Sequence, residues 1–327
     1  MRTSTHSHRI LRAAPAAASL LLLLNFVGCS KSTPVGPLES GARSVTVSSA
    51  AADAGGFGSG DFYPLATGNA WDYEGVVTLR DLNPDGTPGA VIQTISYTES
   101  HRILGTESRD GHSYFVREDV RVEDVAPDDP WTIWTRMRQD RTGLYAAADG
   151  SDVPPVLDGA SAPVLARGAA ARTSGIDFAA LRARGFTEEG IARFEGRVAR
   201  LRDAVRGLVS PSASGARASA EELTWLLYPA RIGREWNMVP GFIWPVRVDG
   251  IEMRSTAAGS FVAYRLETNP TGEPLGEGEH ITLYYGRAGF LGLSVRIRST
   301  AFDQDGNPLG DVVYEDVASP VSIATGL

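Results

Sequence analysis

The sequence predicts a mainly β protein of the α+β class, built from antiparallel sheets with a helical-hairpin insertion. Three observations lead to this fold class. Segments rich in alternating, β-branched and aromatic residues fill residues 61–150 and return over residues 223–327. A segment with helical period lies between them, in residues 175–209. A short motif recurs near the start of each β region, which indicates two related β units.

The overall composition limits what the protein can be. Of its 327 residues, 43% are apolar and 21% are charged, as in an ordinary globular protein. A single cysteine excludes an intramolecular disulfide and any metal site made from several cysteines. The formal net charge of -8 argues against a nucleic-acid partner. The chain carries no cofactor-binding motif that we recognise, and we expect no cofactor.

Residues 1–28 have the pattern of a secretory signal. Three arginines and no acidic residue precede an apolar stretch that runs from Ala13 to Val27. This stretch is too short to span a membrane comfortably. A buried helix at the N-terminus is the alternative interpretation. We favour the signal, because a positive start followed by a leucine run is typical of export.

The apolar stretch ends in Phe26-Val27-Gly28-Cys29-Ser30. This segment resembles the lipobox of bacterial lipoproteins, with Phe26 in place of the usual leucine. The resemblance implies cleavage between Gly28 and Cys29 and acylation of Cys29, with palmitate among the acyl chains. Several chains together give a stable membrane anchor. Ser30 in place of Asp implies sorting to the outer membrane, and the face of that membrane is left open.

Residues 29–60 are rich in Ser, Gly, Ala and Pro and are predicted to be a flexible tether. Cleavage after Gly28 removes three arginines and no acidic residue. The mature chain then has 28 basic and 39 acidic residues, a net charge of 28 - 39 = -11. We expect such an acidic body to stand off anionic head groups.

The first β unit, residues 61–150, and the second, residues 223–327, each contain several predicted strands and a hairpin turn. In the first unit the predicted strands are Val76–Leu79, Val91–Tyr97, Tyr114–Val125 and Ile133–Met137. In the second unit they are Val246–Met253, Ser260–Thr268, His280–Tyr285, Gly292–Ala301 and Val312–Val317. The turns are predicted over residues 83–86 and 303–308, which are rich in Asp, Asn, Gly and Pro.

Residues 151–222 are predicted to be a helical insertion with flanking linkers. Its apolar stripe, with spacings of three and four, consists of Ile191, Phe194, Val198, Leu201, Val205 and Leu208. Thr187 is the expected N-cap of this helix, and residues 176–184 are expected to form a shorter helix before it. The opposite face carries Arg193, Arg197, Arg200 and Arg206. Lipid phosphates or an acidic partner would fit this face, but we favour an ordinary solvated surface.

The motif Y-P-x-x-x-G-x-x-W occurs twice, from Tyr63 to Trp71 and from Tyr228 to Trp236. Proline fixes φ and glycine permits a tight turn, after which the tryptophan opens a strand. We expect Trp71 and Trp236 to pack in the core, with each indole N–H bonded to a backbone carbonyl. The alternative is that these two rings bind a ligand by stacking on it.

Residues 63–73 read Y-P-L-A-T-G-N-A-W-D-Y. They are similar to the segment Y-P-L-x-x-G-N-x-W-x-Y near the mature start of exported bacterial proteins of unknown function. That resemblance implies an export signal or lipobox followed by an antiparallel β body. It implies no activity.

The mature chain offers few groups arranged for chemistry. Its histidines, at positions 101, 112 and 280, lack metal-site spacing, and we expect His101 and His112 on the surface. Carboxylates cluster at Glu118, Asp119, Glu123, Asp124, Asp128, Asp129, Glu315 and Asp316. A hydrolase would use two of them as acid and base, but a charged strand face is the simpler interpretation. A calcium site would use Asp128 and Asp129, or Asp303, Asp305 and Asn307, but the downstream glutamate of an EF-hand loop is missing and we favour ordinary turns.

We therefore expect a lipid-anchored envelope protein whose body binds or scaffolds without catalysis. In one version the sheets form a curved half-barrel that carries an apolar ligand or lipid beneath the helices. That architecture is similar to the periplasmic lipoprotein carriers, without a shared motif. In a second version an exposed apolar patch binds an envelope protein. The third alternative is a secreted hydrolase with two carboxylates of shifted pKa in a cleft.

Overall fold

The computed structural model describes residues 45–46, 63–83, 85–126, 130–147, 155–159, 175–205, 222–238, 245–270, 274–302 and 308–325. The export signal, Cys29 and most of the tether lie outside the described residues, as do Asp303, Asp305 and Asn307. What the sequence indicates at those positions stays a prediction.

Antiparallel strands dominate the described residues, which confirms the predicted fold class. Two helices, α1 (Phe178–Ala183) and α2 (Glu188–Val205), lie in the segment predicted to be helical. The strands are β1 (Val45–Thr46), β2 (Ala70–Leu82), β3 (Pro88–Arg109), β4 (His112–Glu123), β5 (Trp131–Gln139), β6 (Gly143–Ala147), β7 (Glu222–Leu227), β8 (Glu235–Asn237), β9 (Pro245–Thr256), β10 (Gly259–Thr268), β11 (His280–Gly286), β12 (Gly289–Phe302) and β13 (Pro308–Ala324).

The strands form a single sheet that returns on itself. Each strand from β2 to β7, and each from β8 to β13, pairs antiparallel with the next one along the chain. β13 pairs with β2 along nearly its whole length, from Asp311 opposite Leu82 to Ala324 opposite Ala70. The sheet therefore closes further than the half-barrel that the sequence predicts.

The junction between β7 and β8 has no strand ladder among the described residues, and we call it the seam. It is bridged by the amide of Thr224, which donates to the carbonyl of Met238 at 2.9 Å. The indole Nε1 of Trp236 donates to the carbonyl of Thr224, also at 2.9 Å. These two bonds bring the two edges of the sheet together, so the ring is nearly closed and the seam is its weakest junction.

The alternating strand directions give the ring two ends. The hairpin end contains the connecting segments 109–112, 140–142, 228–234, 257–258 and 287–288. The insertion end contains segments 83–87, 124–130, 269–279 and 303–307, and the helical insertion leaves the sheet there, between β6 and β7. Strand β1 pairs with β9 with Val45 opposite Met253 and Thr46 opposite Glu252, so the chain enters β1 from the hairpin end.

The interior of the ring is filled by alternate side chains of the strands, as the period of two in a strand requires. In β2 the buried side chains that alternate in this way include Trp71, Tyr73 and Val77. The same apolar cluster includes Ile297 of β12 and Tyr314 of β13, so both β regions contribute to one core.

The helices pack the described side chains of the predicted stripe into this core, whereas the side chains of Leu201, Val205 and Leu208 lie outside the description. Leu181 of α1 and Ile191, Phe194 and Val198 of α2 are at most 3% exposed and belong to the same apolar cluster. The Thr187 Oγ1 accepts a hydrogen bond from the Gly190 amide at 3.1 Å, which confirms the predicted N-cap. The helices therefore fill space at the insertion end with their own side chains.

Several strands are absent from the sequence prediction or longer than predicted. Strands β6, β7 and β8 have five, six and three residues, too few for a periodic pattern to be recognised. Strand β3 has 22 residues, and its register shifts between Ile103 and Gly105. That irregularity, together with many polar residues on its outer face, hides the alternation in the sequence.

A substitution at Gly292 tests how closely β12 and β13 approach each other. Its φ is +105°, and a Cβ atom there would lie 2.2 Å from the carbonyl oxygen of Ala318. We expect Gly292→Ala to lower the free energy of unfolding by about 2–4 kcal/mol, because backbone strain and a backbone clash add. Urea unfolding followed by circular dichroism measures the loss.

The matched control is Gly111→Ala, in the turn between β3 and β4. Gly111 also has positive φ, +79°, but no atom lies within 4 Å of its ideal Cβ position. We expect only the strain cost there, about 1 kcal/mol. Equal losses of unfolding free energy in the two variants would contradict the close approach of β12 and β13 at Gly292.

Candidate functional site: the interior charged cluster

Six ionisable side chains meet inside the ring, on β3, β4 and β13. We call them the interior charged cluster: Glu99, His101, Arg117, Asp119, Arg121 and Asp316. Five of them are at most 6% exposed, and the side chain of Glu99 is 18% exposed. Charged residues are seldom buried unless they are paired, so this cluster is the candidate functional site.

The positions of the cluster follow from strand geometry. Arg117, Asp119 and Arg121 alternate along β4, so all three point to the same face of the sheet. In the ladder between β3 and β4, Glu99 is opposite Arg121 and His101 is opposite Asp119. Opposite charges directly across an antiparallel pair stabilise it, which fits this checkerboard of signs.

Arg117 and Asp119 form a two-pronged ion pair. Arg117 Nε donates to Asp119 Oδ1 and Nη2 donates to Oδ2, both at 2.7 Å, and Nη1 donates to the Tyr63 hydroxyl at 3.1 Å. Burial on its own would lower the pKa of Arg117, but Asp119 and Tyr63 outweigh it and hold that pKa well above its usual value. Arg117 therefore keeps its positive charge inside the protein.

Arg121 lies flat over an aromatic ring. Its guanidinium carbon is 3.4 Å from the centre of the Tyr97 ring. Arg121 Nη2 lies 3.0 Å from Glu123 Oε1, which makes an ion pair without the geometry of a hydrogen bond. Arg121 Nη1 lies 3.9 Å from Glu99 Oε2. Desolvation opposes the charged form, but these neighbours raise the pKa of Arg121 above its usual value.

Asp316 connects β13 to this group. It accepts hydrogen bonds from the Tyr97 hydroxyl at 2.7 Å and from the Tyr314 hydroxyl at 3.2 Å. Burial, followed by the charge of Asp316, raises the pKa of Tyr97 well above its usual value. The Tyr97 phenol therefore keeps its proton and donates a hydrogen bond to the Asp316 carboxylate.

A small central cavity adjoins the cluster. One wall consists of cluster residues, and the other is apolar, with Phe290, Leu293, Val295 and Ala318. The cavity volume is about 30 Å³. That is room for about two water molecules, because one water needs roughly 10–15 Å³ on this measure.

Four polar atoms of residues that line the cavity have no hydrogen-bond partner among the described residues. They are His101 Nδ1, Arg121 Nε and Nη2, and Trp225 Nε1. Arg121 Nε and Trp225 Nε1 can only donate. His101 Nε2 lies 2.7 Å from Glu99 Oε1, and since a carboxylate oxygen accepts, Nε2 is the donor of that bond. In the tautomer with its proton on Nε2, Nδ1 is an acceptor. Water, or a ligand of its size, has both functions.

The structure corrects our expectation that His101 lies on the surface. It is 3% exposed, at the centre of the sheet, whereas His112 is exposed in the turn between β3 and β4. The two side chains do not share a site, because His101 lies opposite Asp119 and His112 lies opposite Arg109.

The predicted carboxylate cluster divides between the two faces of the sheet. Asp119 points into the ring, while Glu118 accepts from the Trp134 indole at 3.3 Å on the outer face. Asp316 is likewise inside, while Glu315 pairs with Arg80 outside, at 3.0 Å. The interpretation of a solvated strand face is therefore wrong for Asp119 and Asp316. Asp128 and Asp129 lie outside the described residues.

The two motif tryptophans occupy different environments. Trp71 is fully buried, and its Nε1 donates to the Ala288 carbonyl at 2.5 Å. Trp236, at the seam, is partly buried, and its Nε1 donates to Thr224 as described above. Gly68 and Gly233, at equivalent motif positions, have φ of +92° and +81°. A stacking role and the internal repeat stay predictions.

The described residues contain no group of three or more His, Cys, Asp or Glu side chains that could hold a metal ion. Within the same part of the chain, neither helix is long and apolar enough to cross a membrane.

Comparison with known proteins adds little to these observations. No protein-family profile and no curated protein matches the chain. One solved structure, of a protein described as a lipoprotein of Parabacteroides distasonis, is 9% identical to this chain and superposes with a TM-score of 0.25. The match covers 80% of this chain and 97% of that one. An assigned exported protein with a YmcC-like fold from Bacteroides fragilis is 8% identical, with a TM-score of 0.26, over 81% of this chain and 100% of that one. Neither similarity is close enough to assign a family or an activity.

Asp119→Ala tests whether the cluster is a coupled unit. The variant leaves the Arg117 guanidinium buried without its counter-ion, and we expect a loss of about 3–5 kcal/mol in the free energy of unfolding. Urea unfolding measures the loss. Glu189→Ala is the matched control, because Glu189 pairs with Arg193 on the exposed face of α2. We expect that variant to be nearly as stable as the wild type. A similarly small effect at Asp119 would contradict the buried ion pair.

Proposed function

We propose that this protein is a lipid-anchored protein of the bacterial envelope whose body acts by binding or scaffolding rather than by catalysis. The observation that carries the anchor is Cys29, the only cysteine in the chain, directly after an apolar stretch and a positive start. A lone cysteine at that position is what lipidation needs, and several acyl chains make the attachment stable.

The non-enzymatic part of the proposal is supported by the interior of the ring. The groups with acid–base chemistry, His101 and Asp119, are 3% and 2% exposed. The cavity beside them has a volume of about 30 Å³, room for about two waters rather than for a substrate of ordinary size. A hydrolase needs its substrate in contact with its acid and base. Paired buried charges instead fit a role in fixing one arrangement of the strands.

Carriage of an apolar ligand beneath the helices is less well supported. Phe194 and Val198 of α2 pack against the core of the sheet, in the place where the ligand would lie. This alternative therefore requires the helices to move away from the sheet. Native mass spectrometry of the protein, produced with Cys29→Ser, decides the matter: a co-purified mass of lipid size would favour the carrier, and its absence would favour a scaffold.

Cys29→Ser also tests the anchor. Expressed in a Gram-negative bacterium with its own signal, the wild type is expected to incorporate labelled palmitate and to sediment with the outer membrane. The variant is expected to lose both properties, because it has no other thiol to acylate. Membrane fractionation and a gel of the labelled protein provide the readout.

The matched control is Ser30→Asp, which keeps the thiol and changes only the sorting position. We expect it to incorporate label normally and to move to the inner membrane. Label on Cys29→Ser, or none on the wild type, would refute lipidation of Cys29. Unchanged location of Ser30→Asp would refute the proposed outer-membrane sorting alone.

A further inference from the structure

The connecting segments at the two ends of the ring carry opposite charge. The hairpin-end segments, together with Arg109 at the end of β3, contain five arginines and two aspartates: Arg109, Asp110, Asp140, Arg141, Arg231, Arg234 and Arg287. The short segments that join strands at the insertion end carry acidic charges only: Asp85, Asp124, Asp128, Asp129, Glu273, Glu277, Glu279, Asp303 and Asp305. The long helical insertion at the same end, residues 148–221, is nearly balanced, with ten arginines and nine acidic residues. A chain with a net charge of -8 is therefore locally basic at one end.

The basic charges are accessible to a partner. Arg141, Arg231 and Arg287 are exposed, and Arg109 and Arg234 are partly exposed. Between Arg231 and Arg234 lies Ile232, a large apolar side chain that is 51% exposed. Arginines with an exposed aliphatic side chain among them suit a surface with anionic groups above an apolar layer.

The direction of β1 provides an independent reason to place the membrane at this end. The register with β9 means that the chain arrives at Val45 from the hairpin end. Cys29 precedes Val45 by 16 residues. A fully extended chain of that length spans at most about 55 Å, so an anchor at Cys29 limits how far Val45 can lie from the membrane.

We propose that the hairpin end faces the membrane and that Arg141, Arg231 and Arg287 bind the phosphates of anionic lipid head groups. This inference rests on the proposed lipid anchor for its biological setting. It replaces the expectation that an acidic body stands off the membrane, since the acidic segments join strands at the opposite end of the ring. The insertion end, with its helices, then faces the aqueous compartment and is the end available to other partners.

The interaction is tested without the anchor. The mature chain, residues 29–327 with Cys29→Ser, is mixed with sedimentable vesicles of phosphatidylcholine or of phosphatidylcholine with phosphatidylglycerol. At low salt we expect binding only to the vesicles that contain phosphatidylglycerol. The triple variant Arg141→Gln, Arg231→Gln, Arg287→Gln should bind about a hundredfold more weakly, at roughly fivefold per arginine. High salt should abolish binding of the unsubstituted chain.

The matched control has the same change in net charge at another place. Arg182→Gln, Arg184→Gln, Arg193→Gln removes three arginines whose side chains on the helical insertion are 36–75% exposed. We expect it to bind within about twofold of the unsubstituted chain. Circular dichroism should show both triple variants folded, because all six side chains are at the surface.

Two results would overturn the proposal. If the unsubstituted chain does not bind phosphatidylglycerol vesicles, the basic end is not a lipid surface, and an acidic protein becomes the better candidate for it. If both triple variants weaken binding equally, the attraction comes from net charge and not from orientation. Neither result bears on acylation of Cys29, since the assay contains no acyl chain on the protein. Conversely, failure of palmitate labelling would leave the vesicle result intact.

Discussion

The pairing of the last strand with the first is the interaction on which the rest of the structure depends. The β13–β2 ladder joins residues more than 200 positions apart and makes one ring from two β regions. It places Asp316 beside Val77 in register, and so within reach of Tyr97 on β3. It also brings the β11–β12 turn over the start of β2, where the indole of Trp71 donates to the Ala288 carbonyl. Without this ladder, neither the core nor the charged cluster would be enclosed.

The enclosed charges limit what the ring can do. Removing an ion from water costs several kcal/mol even after relaxation, so a buried pair adds little to stability compared with apolar packing. Its main effect is on specificity. A shift of one residue between β3 and β4 would turn Arg117, Asp119 and Arg121 away from Glu99 and His101. The cluster therefore opposes incorrect registers between β3 and β4.

The class of the fold can be predicted from the sequence because its local patterns are strong. The helix stripe that includes Ile191, Phe194 and Val198 has a clear period, and Thr187 has the chemistry of a cap. The interior cluster was not predicted, because Arg-x-Asp-x-Arg alternating with valines on β4 looks like a strand with its charges in water. The closure was not predicted either, since it depends on a ladder between distant residues. One signal was available: opposite charges at alternate positions can neutralise each other on a buried face.

The order of stability around the ring follows from its hydrogen bonds. Strands β2 and β13 are paired on both sides, whereas the seam between β7 and β8 is bridged by Thr224 alone among the described residues. Amide hydrogen exchange, followed by mass spectrometry of peptides, is the most direct test of the closed ring. We expect peptides of β2 and β13 to exchange together and only on global unfolding, and peptides of β7 and β8 to exchange earlier. Fast exchange in β13 with protection retained in β2 would contradict closure by these two strands.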